Sequence, residues 1–201
     1  MTPLDSKYWN TRYQTKKTAW DIGYAAPAIV TWLLTLKTNN PLKIAIPGAG
    51  NAYEAEHLFK LYPQHQVYIF DIADEPLQAF STRLPQFPKS QILKANVLQL
   101  GKSFDSFFDV IIEHTFFCAL HPNLRTRYFK CMLRYLKPGG TLVGLWFNDF
   151  FNALEPPFGS HKHEYLKLIP SEFKIEIFET CYNSIPARQH REWFFKLVKL
   201  I

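Results

Sequence analysis

Two glycines and one acid carry the first chemical signal in the chain. Gly48 and Gly50 directly follow an apolar segment, residues 42–46, and open a predicted helix at 51–61. Glycine at such a turn lets the backbone approach a ligand closely, and the start of a helix offers free N–H groups. Asp71 ends the next apolar segment, 21 residues after Gly50, where a carboxylate can accept hydrogen bonds from ribose hydroxyls.

The spacing of the glycines argues against a dinucleotide. The pattern G-x-G-x-x-G requires a third glycine where this chain has Tyr53, whose side chain would crowd a pyrophosphate. No Gly-Lys-Ser/Thr follows, so the turn is not a P-loop. NAD and FAD are disfavoured but stay open, and a tight turn without a ligand would explain the glycines alone. Together with Asp71, the pattern favours S-adenosylmethionine, which contains a nucleoside and no pyrophosphate.

Three further candidate residues follow predicted strands. Ile72 comes directly after Asp71 and is taken into the same predicted site. Asn96 and Val97 follow the third strand, where Asn96 can hydrogen-bond an edge of adenine and Val97 can pack on the ring. A loop asparagine without a ligand is the alternative for Asn96.

Glu113 and His114 end the fourth predicted strand. Because ligands of open α/β sheets bind at the carboxyl ends of the strands, we expect both side chains to face the crevice there. They are the candidates for a catalytic base. Cys118 is a possible nucleophile by residue type, but a buried structural cysteine is the favoured interpretation.

Alternating apolar segments and helical patterns predict the architecture. Predicted strands lie at 42–46, 67–71, 92–93, 107–112, 141–147, 173–182 and 192–199, and predicted helices at 27–37, 51–61, 125–136 and 162–168, with a further helix capped by Asp74. Short connections between strand and helix favour an open α/β sheet. The turn-rich stretch 183–187 joins the last two strands as an antiparallel hairpin. We therefore expect a Rossmann-like, doubly wound, seven-stranded mixed sheet.

Composition limits the partners. The 201 residues suffice for one domain with a substantial core, and we expect a single domain over 1–201. The net charge of +6 comes from scattered basic residues with no run longer than Lys16-Lys17, which disfavours nucleic acid as a partner. The same positive field attracts small anionic substrates.

The three cysteines are widely spaced and form no C-x-x-C pair, so we expect neither a disulfide framework nor a metal site. The N-terminus lacks the apolar stretch of a signal peptide, and no apolar run is long enough to span a membrane. These features predict a cytoplasmic protein without membrane contact, either a monomer or a weak homo-oligomer.

The N-terminal segment, residues 1–23, places aromatic side chains among charged ones. Trp9, Tyr13 and Trp20 are its most prominent members. This composition is not typical of a core element, and it predicts a lid or an anchor.

The chain resembles the thiopurine S-methyltransferase-like family, which includes plant and fungal thiol and halide methyltransferases. The specific motifs are Tyr8-Trp9-x-x-Arg12-Tyr13-x-x-Lys16-Lys17-Thr18-Ala19-Trp20-Asp21-x-Gly23 and Glu113-His114-Thr115-Phe116-Phe117-Cys118-Ala119-Leu120-His121-Pro122-x-x-Arg125. Supporting motifs are Pro47-Gly48-Ala49-Gly50, Phe70-Asp71-Ile72, Leu136-Lys137-Pro138-Gly139-Gly140, Pro156-Pro157-Phe158-Gly159 and Asn183-Ser184-Ile185-Pro186-x-Arg188-x-x-Arg191-Glu192. The resemblance covers nearly the whole chain.

The resemblance implies a small-molecule methyltransferase that uses S-adenosylmethionine and methylates a thiol, thiocyanate or halide. It implies that residues 1–23 are a lid, with Trp9, Tyr13 and Trp20 closing over the cofactor. It further implies that Gly48 lines the methionine end and that His114 contacts the cofactor. Asp71 would hold the ribose, and Asn96 and Val97 the adenine.

Three positions depart from the usual pattern of the family. Tyr13 replaces a more usual Trp, Ala49 replaces a common Cys, and Glu113-His114 replaces Asp-Arg or Asp-Tyr. The last change lies near the expected methyl acceptor, so specificity stays open. Two alternatives therefore remain: a family member that binds the cofactor without turnover, and an RNA methyltransferase.

Overall fold

The computed structural model describes residues 4–36, 38, 40–149, 151 and 154–201. These residues contain seven strands: β1 (Lys43–Pro47), β2 (Gln66–Asp71), β3 (Ile92–Lys94), β4 (Phe108–His114), β5 (Leu136–Phe147), β6 (Phe173–Thr180) and β7 (Glu192–Lys199). They form one sheet in the order β3-β2-β1-β4-β5-β7-β6. Strands β1 to β5 are parallel, and β7 is antiparallel to both β5 and β6. The predicted α/β sheet with a C-terminal antiparallel hairpin is confirmed.

The same residues form seven α-helices: α1 (Ser6–Gln14), α2 (Pro27–Leu33), α3 (Tyr53–Leu61), α4 (Asp74–Arg83), α5 (Phe116–Ala119), α6 (Arg125–Tyr135) and α7 (Lys162–Leu168). Helices α1 and α5 are absent from the sequence prediction. Helix α2 ends earlier than the predicted limit of residue 37, which itself lies outside the described residues.

Side chains of the central strands alternate between two cores, one on each face of the sheet. Ala45 and Ile111 belong to one core, and Ile44, Ile46 and Ile112 belong to the other. Because both faces are covered, the central residues of β1 and β4, 44–46 and 110–112, are all apolar, as in other parallel sheets.

The strand order reverses between β1 and β4, since the chain adds strands outward on one side and then on the other. At such a reversal the connections leave in opposite directions, and a crevice opens at the carboxyl ends of the two strands. The glycine turn follows β1, and His114 is the last residue of β4. The sheet therefore brings these two parts of the predicted site together.

Helix α1 caps helix α4. The backbone N–H groups of Asp74 and Glu75 donate to the side-chain oxygen Oδ1 of Asn10, at 2.8 and 3.1 Å. The prediction that Asp74 is the N-cap residue is wrong: Asp74 is the first helical residue, and Ala73 before it has no side chain that could cap. The N-terminal segment thus supplies the cap from a distant position in the chain.

We predict that Asn10→Ala lowers the free energy of unfolding by about 1 kcal/mol, the usual cost of losing a helix cap. Urea denaturation measures this difference. Asn123→Ala is the matched control, because the Asn123 side chain makes no hydrogen bond in the described part of the chain. Equal stability of both variants with the wild type would contradict the capping role.

Candidate active site

A cavity of about 990 Å³ is bounded by the carboxyl ends of the central strands and by the N-terminal segment. Eight of the eleven predicted cofactor residues line it: Trp9, Tyr13, Trp20, Gly48, Asp71, Ile72, Asn96 and Val97. A smaller cavity of about 60 Å³ shares Tyr13 and Gly48 with the first and is also lined by Gly50 and His114. Glu113 lines neither of these cavities.

Both glycines of the turn adopt the left-handed conformation, with φ of 56° at Gly48 and 51° at Gly50. A Cβ atom on Gly48 would lie 2.1 Å from the ring of Phe116, and one on Gly50 would lie 2.8 Å from the hydroxyl oxygen of Tyr13. The close approach that these glycines permit is therefore made, in this structure, by the protein's own aromatic side chains.

The carboxylate of Asp71 joins the loops that follow β1 and β2. Its Oδ2 accepts the backbone N–H of Gly50 at 2.9 Å, and its Oδ1 accepts that of Ala73 at 2.9 Å. Burial raises the pKa of Asp71, and hydrogen bonds from the backbone N–H groups of Ala73, Gly50 and Ile72 partly oppose that rise. The N–H of Gly50 is thus already used, whereas a carboxylate has about four acceptor positions, so Asp71 retains one that fits a ribose hydroxyl.

Three aromatic rings form one wall of the cavity. The ring of Trp20 meets that of Trp9 at 5.4 Å and that of Tyr13 at 5.8 Å between centroids, both edge to face. Burial is the main reason that the pKa of Tyr13 rises well above its usual value, so its phenol is uncharged at neutral pH. Such rings attract a cation across their faces, on the order of 1 kcal/mol each, which fits a sulfonium group.

Asn96 and Val97 lie at the start of a short turn after β3. The side-chain Oδ1 of Asn96 accepts the N–H of Leu98 at 2.9 Å, which leaves the amide group of Asn96 to donate to a ligand. The backbone carbonyl of Val97 accepts the hydroxyl of Tyr135 at 2.8 Å, and its side chain is buried. A donor beside an apolar surface fits the edge and face of a purine base.

Glu113 and His114 point to opposite faces of the sheet. The carboxylate of Glu113 is fully buried and accepts the indole N–H of Trp146 and the backbone N–H of Phe117. The expectation that Glu113 faces the crevice is wrong, because successive residues of a strand alternate between faces. Burial raises the pKa of Glu113 to about 7, since hydrogen bonds only partly stabilise its ionised form.

His114 faces the crevice and belongs to a group of buried charged side chains. Its Nδ1 lies 3.2 Å from Oε1 of Glu54, and its Nε2 lies 3.2 Å from Nη1 of Arg188. Arg188 also pairs with Glu192 at 3.2 Å. None of Glu54, Arg188 and Glu192 was predicted to belong to the site. The only sequence signal for two of them was the Arg188-x-x-Arg191-Glu192 motif.

The lining of the large cavity includes four cations, Arg12, Lys17, Arg188 and Arg191, and two acids, Asp21 and Asp71. Three of the cations are paired with acids, since Arg12 contacts Glu155 at 2.8 Å, Arg188 contacts Glu192, and Arg191 contacts Asp149. Lys17 has no acidic partner in the described part of the chain. An anion that enters the cavity would therefore meet a favourable potential beside Lys17.

Ten residues of the lining form an apolar surface. They come from the β4–α6 connection, the last residue of β5, the segment that follows β5, and the connection between β6 and β7. The members of this surface are Phe116, Ala119, Leu120, Leu124, Phe147, Phe151, Pro156, Pro157, Ile185 and Ala187. None of these residues was predicted to bind the cofactor. We call this set the apolar lobe.

The described residues contain no cluster of His, Cys, Asp or Glu that could hold a metal ion. Among the helices that the structure describes, none is both long and apolar enough to cross a membrane.

The seven-stranded sheet with its C-terminal antiparallel hairpin is the fold of class I S-adenosylmethionine-dependent methyltransferases. The sequence profile of the thiopurine S-methyltransferase family matches residues 4–199, and the chain belongs to that family. This family assignment agrees with the resemblance noted in the sequence.

The relatives that the chain is similar to include plant enzymes. The chain is 28% identical over 189 residues to thiocyanate methyltransferase 1 of Arabidopsis thaliana, which covers 92% of this chain and 81% of the relative. It is 26% identical over 189 residues to thiocyanate methyltransferase 1 of Brassica oleracea, with the same coverage of 92% and 81%.

Solved structures share the fold at low identity. The 1,6-didemethyltoxoflavin-N1-methyltransferase of Burkholderia thailandensis, solved with S-adenosylhomocysteine, has a TM-score of 0.79 at 15% identity and covers 98% of this chain and 87% of its own. A TehB-like methyltransferase of Corynebacterium glutamicum has a TM-score of 0.67 at 14% identity, covering 96% and 97%. At these identities the likeness concerns the fold alone.

We predict that Asp71→Ala weakens S-adenosylmethionine binding by about 1.5 to 3 kcal/mol, since hydrogen bonds to a charged group are lost. Isothermal titration calorimetry measures the affinity. Asp74→Ala is the control, because that carboxylate pairs with Lys94 outside the cavity lining. Unchanged affinity in Asp71→Ala would remove Asp71 from the ribose position.

We predict that Glu113→Gln flattens the pH dependence of stability. The raised pKa means that the folded state binds more protons than the unfolded state between about pH 4.5 and 7, so the contribution of Glu113 to stability falls as pH rises through this window. The variant should lose that decline, so its free energy of unfolding should differ less between pH 5 and pH 8 than that of the wild type, measured by urea denaturation. Its turnover should remain within a few-fold of the wild type; a loss of several orders of magnitude would restore Glu113 as a catalytic candidate.

Proposed function

We propose that the enzyme transfers the methyl group of S-adenosylmethionine to the sulfur of a thiol that carries an apolar body. The apolar lobe is the observation that supports this proposal. Ten apolar residues in the lining are far more than a halide or thiocyanate ion needs, and they would gain little from contact with a fully hydrated ion. A buried hydrocarbon or aromatic group on the acceptor would use this surface.

The residues of the cavity have assigned roles in this proposal. Asp71 accepts a ribose hydroxyl, and Asn96 with Val97 holds the adenine. The aromatic wall of Trp9, Tyr13 and Trp20 surrounds the sulfonium as the inner face of a lid, residues 1–23. The proposal includes Gly48, Gly50, Ile72 and His114 among the residues around the cofactor.

The chemistry requires orientation and exclusion of water more than proton transfer. S-adenosylmethionine supplies a methyl group on a sulfonium, which is a good leaving group. The thiolate sulfur forms a bond to that methyl carbon as the carbon–sulfonium bond breaks, and the electron pair remains on the departing sulfur. The lid and apolar lobe hold the two partners in line without water, an effect that can supply about 7–11 kcal/mol in well-aligned reactions.

The acceptor enters this mechanism as its thiolate. Lys17, the lining cation without an acidic partner among the described residues, favours the ionised thiol by its positive charge. Neither candidate base is free to serve: Glu113 is directed into the core, and both ring nitrogens of His114 lie within hydrogen-bond distance of other side chains. The thiol proton is therefore released to solvent before transfer.

Methylation of thiocyanate or a halide is the second candidate function. The positive lining and the similarity to thiocyanate methyltransferases of plants favour it. A cofactor-binding protein without turnover and an RNA methyltransferase have less support, since no dense basic cluster appears in the sequence.

We further propose that the chain acts as one domain over 1–201, as a monomer or weak homo-oligomer, in the cytoplasm, where its three unpaired cysteines would stay reduced.

A panel of acceptors tests the proposed function. Thiophenol, bisulfide, thiocyanate and iodide would each be incubated with enzyme and S-adenosylmethionine, and the methylated product quantified as kcat/KM. We expect the highest value for thiophenol, by at least about tenfold, since burying a ring is worth about 1.5–3 kcal/mol, or about one to two factors of ten in affinity. A higher value for thiocyanate or iodide would favour the second candidate, and cofactor binding without any product would favour loss of turnover.

The variant Ala119→Leu examines the apolar lobe itself. The added side chain occupies space in the lobe, so we expect kcat/KM for thiophenol to fall about tenfold more than for thiocyanate. Ala79→Leu is the control, because Ala79 is exposed on α4. Equal losses for both acceptors would place the acceptor outside the lobe.

A further inference from the structure

A chain of hydrogen bonds connects the end of β4 with the N-terminal segment. His114 lies between Glu54, at the start of α3, and Arg188, in the connection from β6 to β7. The other terminal nitrogen of Arg188, Nη2, donates to the backbone carbonyl of Trp20 at 2.5 Å. Through Arg188, His114 therefore acts on a residue of the aromatic wall.

The donors in this chain fix the protonation of His114. A guanidinium group can only donate, so Nε2 of His114 must accept from Arg188. Nδ1 then carries the proton and donates to the carboxylate of Glu54. The arrangement requires the neutral imidazole with its proton on Nδ1.

The residues that form this chain of hydrogen bonds are largely buried, so few other partners are within their reach. The side chains of Glu54, Arg188 and Glu192 are exposed by only 7, 8 and 3%, and that of His114 by 13%. Burial opposes ionisation of Glu54, but hydrogen bonds from His114 and from the N–H of Ala26 outweigh it and lower the pKa of Glu54. In such surroundings a misplaced proton is costly, because water cannot replace a lost partner.

Glu54 also binds the stretch from Trp20 to Ala26 directly. The backbone N–H of Ala26 donates to its Oε1 at 3.0 Å. The stretch from Trp20 to Ala26 is thus attached to α3 directly at its end and through His114 and Arg188 at its start. Release of Arg188 would leave the start held only through Asp21, which accepts a hydrogen bond from the side chain of Asn51, and through ring contacts of Trp20.

We propose that His114 is a positioning residue: in its neutral form it holds Arg188 on the carbonyl of Trp20 and keeps the lid over the cofactor, and protonation of His114 releases that hold. A proton on Nε2 removes the acceptor for Arg188 and places two cations in contact. Retention of the cofactor then decreases as pH falls. This inference concerns the cofactor and holds whatever the methyl acceptor is.

Other titratable groups surround His114 on every side. Glu54 and His57 lie on α3, Glu113 precedes His114 on β4, and Glu192 begins β7. Asp21, Tyr13 and Tyr53 line the same small cavity as His114. Burial lowers the pKa of His57 and raises those of Tyr13 and Tyr53. His57 is therefore the group whose titration must be separated from that of His114.

The experiment measures the dissociation constant of S-adenosylmethionine by isothermal titration calorimetry between about pH 5 and 8, where histidines change charge. For the wild type we expect at least about a tenfold weaker affinity at the acid end, from loss of one hydrogen bond to a charged group. The variant His114→Gln keeps an acceptor toward Arg188 but cannot gain a proton, so its affinity should stay near the wild-type value of pH 8 throughout. His114→Leu offers no acceptor and should bind weakly at every pH.

Controls separate this role from general damage to the fold. His57→Gln should retain the wild-type pH dependence, and the titration of the ligand itself is common to all variants. A wild-type affinity independent of pH, or the same acid loss in His114→Gln, would overturn the proposal, and circular dichroism at each pH establishes that the variants are folded.

Discussion

The carboxylate of Asp71 is the interaction on which the site depends. It accepts N–H groups from the loops after two adjacent parallel strands, at Gly50 and Ala73, and so fixes the relative positions of both loops. The left-handed backbone of Gly50 then leaves room for the hydroxyl of Tyr13, which brings the N-terminal segment against the turn. One buried acid thereby organises the turn and the position of the N-terminal segment.

Side chains alternate between the two faces of the sheet along β4, so its last two residues, Glu113 and His114, lie in different environments. Glu113 enters the core beside Trp146, where burial raises its pKa to about 7. His114 enters the crevice, where Glu54 and Arg188 complete its hydrogen bonds. A buried polar or charged group needs hydrogen-bond partners. The buried carboxyl group of Glu113 shifts toward its neutral form, whereas the imidazole of His114 finds a partner for each ring nitrogen.

The cavity combines two surfaces with different physical character. Polar acceptors and aromatic rings gather near the glycine turn, whereas the apolar lobe comes from the β4–α6 connection and the region after β5. The first surface contains most of the residues that the sequence predicted to bind the cofactor. The second surface belongs to the acceptor in our proposal.

The sequence by itself determined the α/β sheet, its terminal hairpin and the turn with Gly48, Gly50 and Asp71, because these depend on local periodicity and on spacing along one strand–helix–strand unit. Tertiary structure decided what spacing cannot express. It showed that Asn10 rather than Asp74 caps α4, and that Glu113 is directed into the core. It also joined His114 to Glu54 and Arg188, residues 60 and 74 positions away. Such contacts arise only when distant segments pack, so their partners leave little trace in the order of residues.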